Sequence, residues 1–228
     1  MSVWFYSDPH FGHNNIIDFC NRPFVDEFSE EDLGGGVVKR RLRRSRVEVM
    51  DAALISNWND VVHPTDTVYV LGDWAMGRAE DGVSKARRLH GEKFLVPGNH
   101  DKCWFGGKKD HSGWVSFFEA SGFTILANSV DEGNGVISLN ELFEDVGVEV
   151  DACHFPFNDP SDPRIGDRFA AYKPDDRGQW LLHGHVHDAW KTKLEERMIN
   201  VGVDVWDLAP VHIDTLKEII RGALSEVV

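Results

Sequence analysis

Disulfide chemistry has little to work with in this sequence. Its 228 residues include three cysteines, Cys20, Cys103 and Cys153, and no CxxC pair. An odd, scattered set of thiols does not make the framework of a small secreted domain. Any metal site must therefore use nitrogen and oxygen ligands. Long apolar runs are missing too, since none approaches the roughly 20 residues that span a bilayer. The N-terminal MSVWFYSD lacks the basic start and apolar middle of a secretory signal. Cationic charge is scarce: 24 Lys and Arg stand against 38 Asp and Glu, a formal net charge of −14. That balance argues against gripping duplex nucleic acid through many phosphates. Repeats and low-complexity linkers are absent. These exclusions leave a cytoplasmic chain with one domain over residues 1–228, long enough to bury a sizeable core.

What is present is a series of short apolar runs that end in turn residues, with helical patterns between them. The runs are Val3–Tyr6, Thr67–Leu71, Lys93–Val96, Val148–Cys153, Trp180–Leu182 and Met198–Val203. Val47, Met50, Leu54, Trp58 and Val61 share one helical face, and Ser45 with Glu48 fits a capping box at its start. Residues 79–89 and 214–224 also read as helices. Alternating strands and helices predict an α/β fold. Residues of about 20–44 and 101–146 read as irregular edge segments, with a hairpin turn at Asn134-Gly135. Within the first lies KRRLRRSR, residues 39–46, read either as a solvated basic helix start or as a rim that attracts phosphate.

The polar clusters have a common position. Asp8-x-His10, Gly72-Asp73, Gly98-Asn99-His100-Asp101, His154 and Gly184-His185-x-His187 each follow an apolar run. All should gather at the carboxyl edge of a sheet, where open α/β folds bind ligands. A lone histidine at a strand end is usually a packed one. Five such clusters in this order are much harder to assign to chance.

Taken in order, DxH, GD, GNHD, H and GHxH resemble the motifs of the calcineurin-like metallophosphoesterase superfamily. The stretches HFGHNNII, CNRPF, NWNDVV and VYVLGDW are similar to a branch of small bacterial and phage phosphoesterases. The resemblance implies a two-layer β-sandwich flanked by helices, with a dinuclear site at one edge. It implies that Asp73 bridges two divalent metals. One metal would also be bound by Asp8, His10 and His187, the other by Asn99, His154 and His185. Mn²⁺ is the first expectation, with Fe, Zn²⁺ or Ni²⁺ as alternatives. His185 and His187 would serve different metals, and on a strict strand they would share a face, so a turn is expected there.

Two such metals can supply a hydroxide nucleophile and neutralise phosphoryl charge. With Asp8, Asp73 and the hydroxide counted, the centre keeps a single positive charge, which one diester anion would cancel. The expected activity is therefore a phosphodiesterase for small diesters, including 2′,3′- or 3′,5′-cyclic nucleotides. A phosphomonoesterase or nucleotidase is the alternative. A nuclease stands further off. So does a non-catalytic scaffold, because all seven ligand positions are filled. The protein Ser/Thr phosphatase pattern GDxxDRG is broken here, with Met76 and Gly77 where it carries Asp and Arg. His100 is the candidate to protonate the leaving oxygen or steady the phosphoryl charge. Weaker substrate contacts are His13, Asn15, which could instead cap a helix, and Arg22, which could instead be a surface residue. His183 reads as structural, and Trp74, Trp104 and Trp206 as core rather than base-stacking residues.

Overall fold

Period-two alternation in the short apolar runs decides the architecture. The computed structural model describes residues 1–107, 111–158 and 167–226. In chain order its strands are β1 (Val3–Tyr6), β2 (Glu27–Asp32), β3 (Val38–Arg44), β4 (Thr67–Val70), β5 (Glu92–Leu95), β6 (Phe123–Ile125), β7 (Val136–Ser138), β8 (Val150–Cys153), β9 (Trp180–His183), β10 (Thr192–Lys193), β11 (Met198–Asn200) and β12 (Val211–His212). The α-helices are α1 (Asn14–Phe19), α2 (Arg46–Val61), α3 (Ala79–Ser84), α4 (Ser112–Ala120) and α5 (Ile213–Glu226). One five-stranded sheet has the order β12-β1-β4-β5-β6, the other β10-β11-β9-β8-β7. Strands β1, β4, β5 and β6 are parallel, as are β8, β9 and β11.

Successive residues of one strand enter different cores. Phe5 and Leu71 from the first sheet meet Val150, Ala152, Trp180, Leu182 and Ile199 from the second, so the two sheets share an apolar interior. Tyr6, Val68, Val70 and Leu95 point the other way, against Ile16, Ile17, Met50, Leu54 and Trp58 of α1 and α2. Leu181 and Met198 face outward from the second sheet onto Trp104, Phe155 and Phe157. This is the expected sandwich. Burying a Leu or Phe side chain contributes roughly 1.5–3 kcal/mol, and both faces of the first sheet are used. Helix α5 inserts Ile213, Leu216 and Ile220 into the shared interior. The capping box of α2 is formed, with both Ser45 and Glu48 bonds in place. No helix of the described residues is long and apolar enough to cross a membrane.

The two irregular segments are more ordered than expected. Residues 20–44 contain the antiparallel hairpin β2–β3, turned at Gly34-Gly35-Gly36. The basic run is therefore strand β3 and not a helix start, and α2 begins only at Arg46. No apolar alternation marks this hairpin, because it is exposed along nearly its whole length. What its strands offer each other is charge: Glu30 lies opposite Arg40, Glu31 opposite Lys39, and the Arg40 guanidinium stacks on Phe28 at 3.9 Å. Residues 101–146 contain α4, β6, β7 and a 3₁₀ turn at Asn140–Val146, with 108–110 outside the described residues. Asn134 and Gly135 do form a turn, both with positive φ. It leads into β7, which pairs with β8 rather than closing a hairpin at that turn.

Candidate metal centre

Every motif leaves the carboxyl end of a parallel strand. Asp8 and His10 follow β1, Asp73 follows β4, Asn99 and His100 follow β5, His154 follows β8, and His185 and His187 follow β9. A parallel bridge between Ser7 and Gly202 joins the two sheets at this edge. Loops 8–11 and 72–74 are also tied together, by Asp8 N–H to Gly72 O, His10 N–H to Asp73 O and Phe11 N–H to Trp74 O.

The backbone here is unusual. Asp8, His10, Asp73, His185 and His187 have φ of 58°, 51°, 53°, 71° and 50°. An L-residue in that left-handed region costs roughly 1–2 kcal/mol, and such strain collects at functional sites. The expected turn at His185 and His187 is therefore present. Two glycines permit the close approach of these loops. A Cβ on Gly98 would lie 2.4 Å from Asp73 Oδ1, and one on Gly184 would lie 2.0 Å from Ser7 Oγ. Any larger residue at either position would push a ligand loop aside.

The side chains fall into two groups. Asp8, His10 and His187 can offer ligand atoms to one ion, and Asp73, His154 and His185 to another. Asp73 Oδ2 lies between them, 3.6 Å from His10 Nε2 and 3.5 Å from His154 Nε2. Asn99 joins the second group, its Oδ1 3.2 Å from His154 Nε2. His154 Nδ1 is 2.8 Å from Leu71 O and must carry the proton to donate there. Its Nε2 is then a bare lone pair, facing Asp73 Oδ2, Asn99 Oδ1 and His185 Nδ1, the last at 3.3 Å. In the first group Asp8 Oδ1 and both ring nitrogens of His10 are buried without a hydrogen-bond partner. Orphaned acceptors and converging lone pairs make a donor set that a cation satisfies, and its N/O composition suits a divalent metal.

For three of the histidines the electrostatics agree with that fit. Burial is the main cause that lowers His10 and His154 and brings His185 down to about 2, so these imidazoles are neutral, the form that binds metal. Burial, with Asp8 and Asp101 nearby, pushes Asp73 well above the carboxylate range. Burial would lower His187 as well, but the Asp204 carboxylate and Cys20 outweigh it and raise His187 to about 11.

The remaining expected residues are placed unequally. His100 sits at the rim, with its ring 5.5 Å from that of His10 and its backbone N–H donated to Asp73 Oδ1 at 2.8 Å. Desolvation, then His154 and His187, lowers its pKa to about 4. The His13 ring lies 5.8 Å from that of His10, tilted against it, and the residue occupies the N-cap of α1. Asn15 is exposed in the first turn of α1 and caps nothing. Arg22 requires a correction. It is neither on the surface nor available to a phosphate, being 5% exposed with its guanidinium committed to Asp204, Asp8 O, Pro9 O and Met50 Sδ. The basic run is held opposite the acidic strand β2. His183 is buried, its Nδ1 2.8 Å from Gly184 O, and belongs to neither ligand group. Trp74 and Trp104 are core residues, and Trp206 packs against the shared interior.

Three contributors were not expected. Asp101, whose role the sequence left open, accepts N–H bonds from Asp73, Trp74 and Gly98, each at 2.9 Å. Asn200 donates to His187 O and Trp190 O at 2.8 Å, steadying the GHxH loop. Asp204 accepts from Arg22 and lies 3.3 Å from His187 Nδ1. Its signal was available: like the ligands, it directly follows an apolar run.

A family model described as calcineurin-like phosphoesterase matches residues 1–189. An uncharacterized protein of Methanocaldococcus jannaschii is 28% identical over 96% of this chain and 91% of its own length. The gene 66 protein of Mycobacterium phage L5 is 28% identical over 90% of this chain and 87% of its own. A crystal structure of a protein of unknown function from Aquifex aeolicus is similar in fold, with a TM-score of 0.57 and 23% identity over 96% of this chain and 99% of that one.

Proposed function

This chain belongs to the calcineurin-like phosphoesterase family, and from that premise we propose that it is a phosphodiesterase for small diesters, working at a two-metal centre. Hydrolysis of phosphoric esters is the chemistry of the family. One observation carries the two-metal reading: Asp73 Oδ2 lies within 3.6 Å of a histidine nitrogen from each ligand group. Asp8, His10 and His187 would hold one cation and Asn99, His154 and His185 the other, with Asp73 shared. Two divalent cations there would lower the pKa of water and draw charge from the phosphoryl oxygens. Mn²⁺ is the metal we favour.

The chain's own residues set the rest. A cleft of about 360 Å³ borders Asn99 and His100, lined by Ala75, Met76, Gly77 and Trp104. It offers a leaving group walls of mixed polarity. His100 lines that cleft and would donate a hydrogen bond to the leaving oxygen or the phosphoryl group. His13, with its ring 5.8 Å from that of His10, would contribute to the rim. The single positive charge expected at the centre favours diesters, including 2′,3′- and 3′,5′-cyclic nucleotides. Lys102 also lines the cleft. Its cation is the observation that favours the monoester alternative, because a monoester dianion needs one more positive charge. Free thiols at Cys20, Cys103 and Cys153 fit a cytoplasmic setting. Pairing of the basic strand β3 with acidic β2 argues against a duplex nucleic-acid partner.

The test is a metal-supplemented comparison of kcat/KM for bis-p-nitrophenyl phosphate and p-nitrophenyl phosphate, followed by cyclic nucleotides. We expect the diester to be preferred. A clear monoester preference would replace this reading with the alternative.

A further inference from the structure

The two ligand groups are held by different parts of the protein. The Asp73 and Asn99 loops are gathered by Asp101, which accepts from Asp73 N–H, Trp74 N–H and Gly98 N–H. His154 is turned by Leu71 O. Neither contact is made to a side chain of the Asp8–His10 loop, although backbone bonds from Asp8 N–H to Gly72 O and from His10 N–H to Asp73 O, and one from His185 N–H to Asp8 Oδ2 at 3.0 Å, join the two groups.

That loop is held by Arg22. Its Nη2 donates to Asp8 O at 2.9 Å and its Nη1 to Pro9 O at 2.8 Å. The same guanidinium grips Asp204 with two bonds, Nε to Oδ1 at 2.7 Å and Nη2 to Oδ2 at 3.0 Å. A fork against a carboxylate fixes the orientation of both partners. The pair is buried, with side chains 1% and 2% exposed. Asp204 Oδ2 then lies 3.3 Å from His187 Nδ1. A carboxylate there holds Nδ1 and so fixes the ring orientation, leaving Nε2 as the atom that would serve the Asp8 and His10 group. One ion pair, closed between residues 182 positions apart, thus braces Asp8 at its carbonyl, the Pro9 carbonyl just before His10, and His187 through Asp204, while its own hydrogen bonds go to none of Asn99, His154 and His185.

Cys20, His187 and Asp204 also lie close enough together to be read as a third metal group. The arrangement around Asp204 disfavours that. Both of its oxygens are already taken by the guanidinium, and a dication would sit beside a fixed positive charge.

We infer that Arg22 and Asp204 are positioning residues for the Asp8–His10–His187 group alone, so that they set the affinity of one metal and leave the other unchanged. This rests on the two-metal reading above. Groups that orient metal ligands are typically worth about 10–100-fold in affinity, and that is the expected weakening of one binding event.

Titration of the metal-free chain with MnCl₂ by calorimetry, with Mn²⁺ electron paramagnetic resonance on the same samples, tests it. Wild type should show two events and a spin-coupled signal. Asp204→Asn and Arg22→Lys should keep one event at wild-type affinity and weaken the other. Their spectrum at limiting Mn²⁺ should be that of an isolated ion, and the coupled signal should return at high Mn²⁺. Arg22→Lys keeps the charge while losing the fork, and so guards against misfolding of a charge-deleted chain. Urea unfolding in chelator confirms that both variants fold. Equal weakening of both events, or of neither, overturns the inference and leaves the two-metal reading standing. A wild-type chain that binds fewer than two Mn²⁺ overturns both.

Discussion

Replacing Asp101 tests whether its three backbone bonds shape the ligand loops before any metal arrives. Asp101 is 5% exposed. Its Oδ2 accepts from Asp73 N–H and Gly98 N–H and its Oδ1 from Trp74 N–H, each at 2.9 Å. A hydrogen bond to a charged group contributes about 1.5–3 kcal/mol, and a buried N–H left alone costs about 1–3 kcal/mol. Asp101→Ala abandons all three donors at once. Because they share one acceptor their losses do not add, and about 3–5 kcal/mol is expected. Asp101→Asn is the finer probe. Its amide oxygen can keep the two donors at the Oδ2 position, but its NH₂ then faces Trp74 N–H, which loses its acceptor. About 1–3 kcal/mol is expected for that change. Urea unfolding followed by tryptophan fluorescence, in chelator, reads this apart from metal binding. Asn and Ala variants both within about 0.5 kcal/mol of wild type would refute the argument, since surface changes that break no such feature stay in that range.

Asp73→Asn should abolish activity and lower Mn²⁺ content, as measured by elemental analysis after dialysis. Retained activity would remove Asp73 from its shared position. His100→Asn should slow cleavage of an alkyl or nucleoside ester far more than of a nitrophenyl ester, by up to about 10²–10⁴-fold in the difference, because nitrophenolate leaves without a proton. An equal loss on both, with metal content unchanged, would assign His100 to phosphoryl charge rather than to the leaving group. Asp66 should matter only above acid pH. N–H bonds from Ser2, then His63, lower its pKa to about 2, below the unfolded value of about 3.9. The stability it contributes is therefore present above about pH 4 and lost as pH falls toward 2. The stability gap between wild type and Asp66→Asn, read by urea unfolding at each pH, should narrow over that window, and a constant gap would exclude the effect.

That the candidate ligands gather at one edge was legible because two signals coincide at the same places. An apolar run that ends at Tyr6, Leu71, Val96, Cys153 or Leu182 marks a strand, and the next few residues are of types that bind metal. The parallel strands then bring those ends to one edge. How the candidate ligands are held was legible only at Asp204, which follows an apolar run, and not in its partner. Arg22 and Asp204 meet across 182 positions, and nothing local to Arg22 tells a buried fork from a surface arginine. Asp101 stands beside His100, yet its partners are backbone groups, which leave no trace in sequence. The β2–β3 hairpin escaped for a different reason: its strands are exposed, so they carry no apolar alternation to read.

The left-handed backbone at Asp8, His10, Asp73, His185 and His187 sets selection for folding against selection for catalysis at the same five positions. Glycine would relieve roughly 1–2 kcal/mol at each, so a lineage freed from the need for activity gains backbone stability by discarding its ligands. Drift in such a lineage should erase the metal centre first and leave the sandwich intact. Exchange among ligands is narrow as well. Asp, Asn and His tolerate this conformation far better than β-branched residues do, so a change of metal preference can move among those three types without rebuilding a loop. The same geometry that gathers the ligands limits what can replace them.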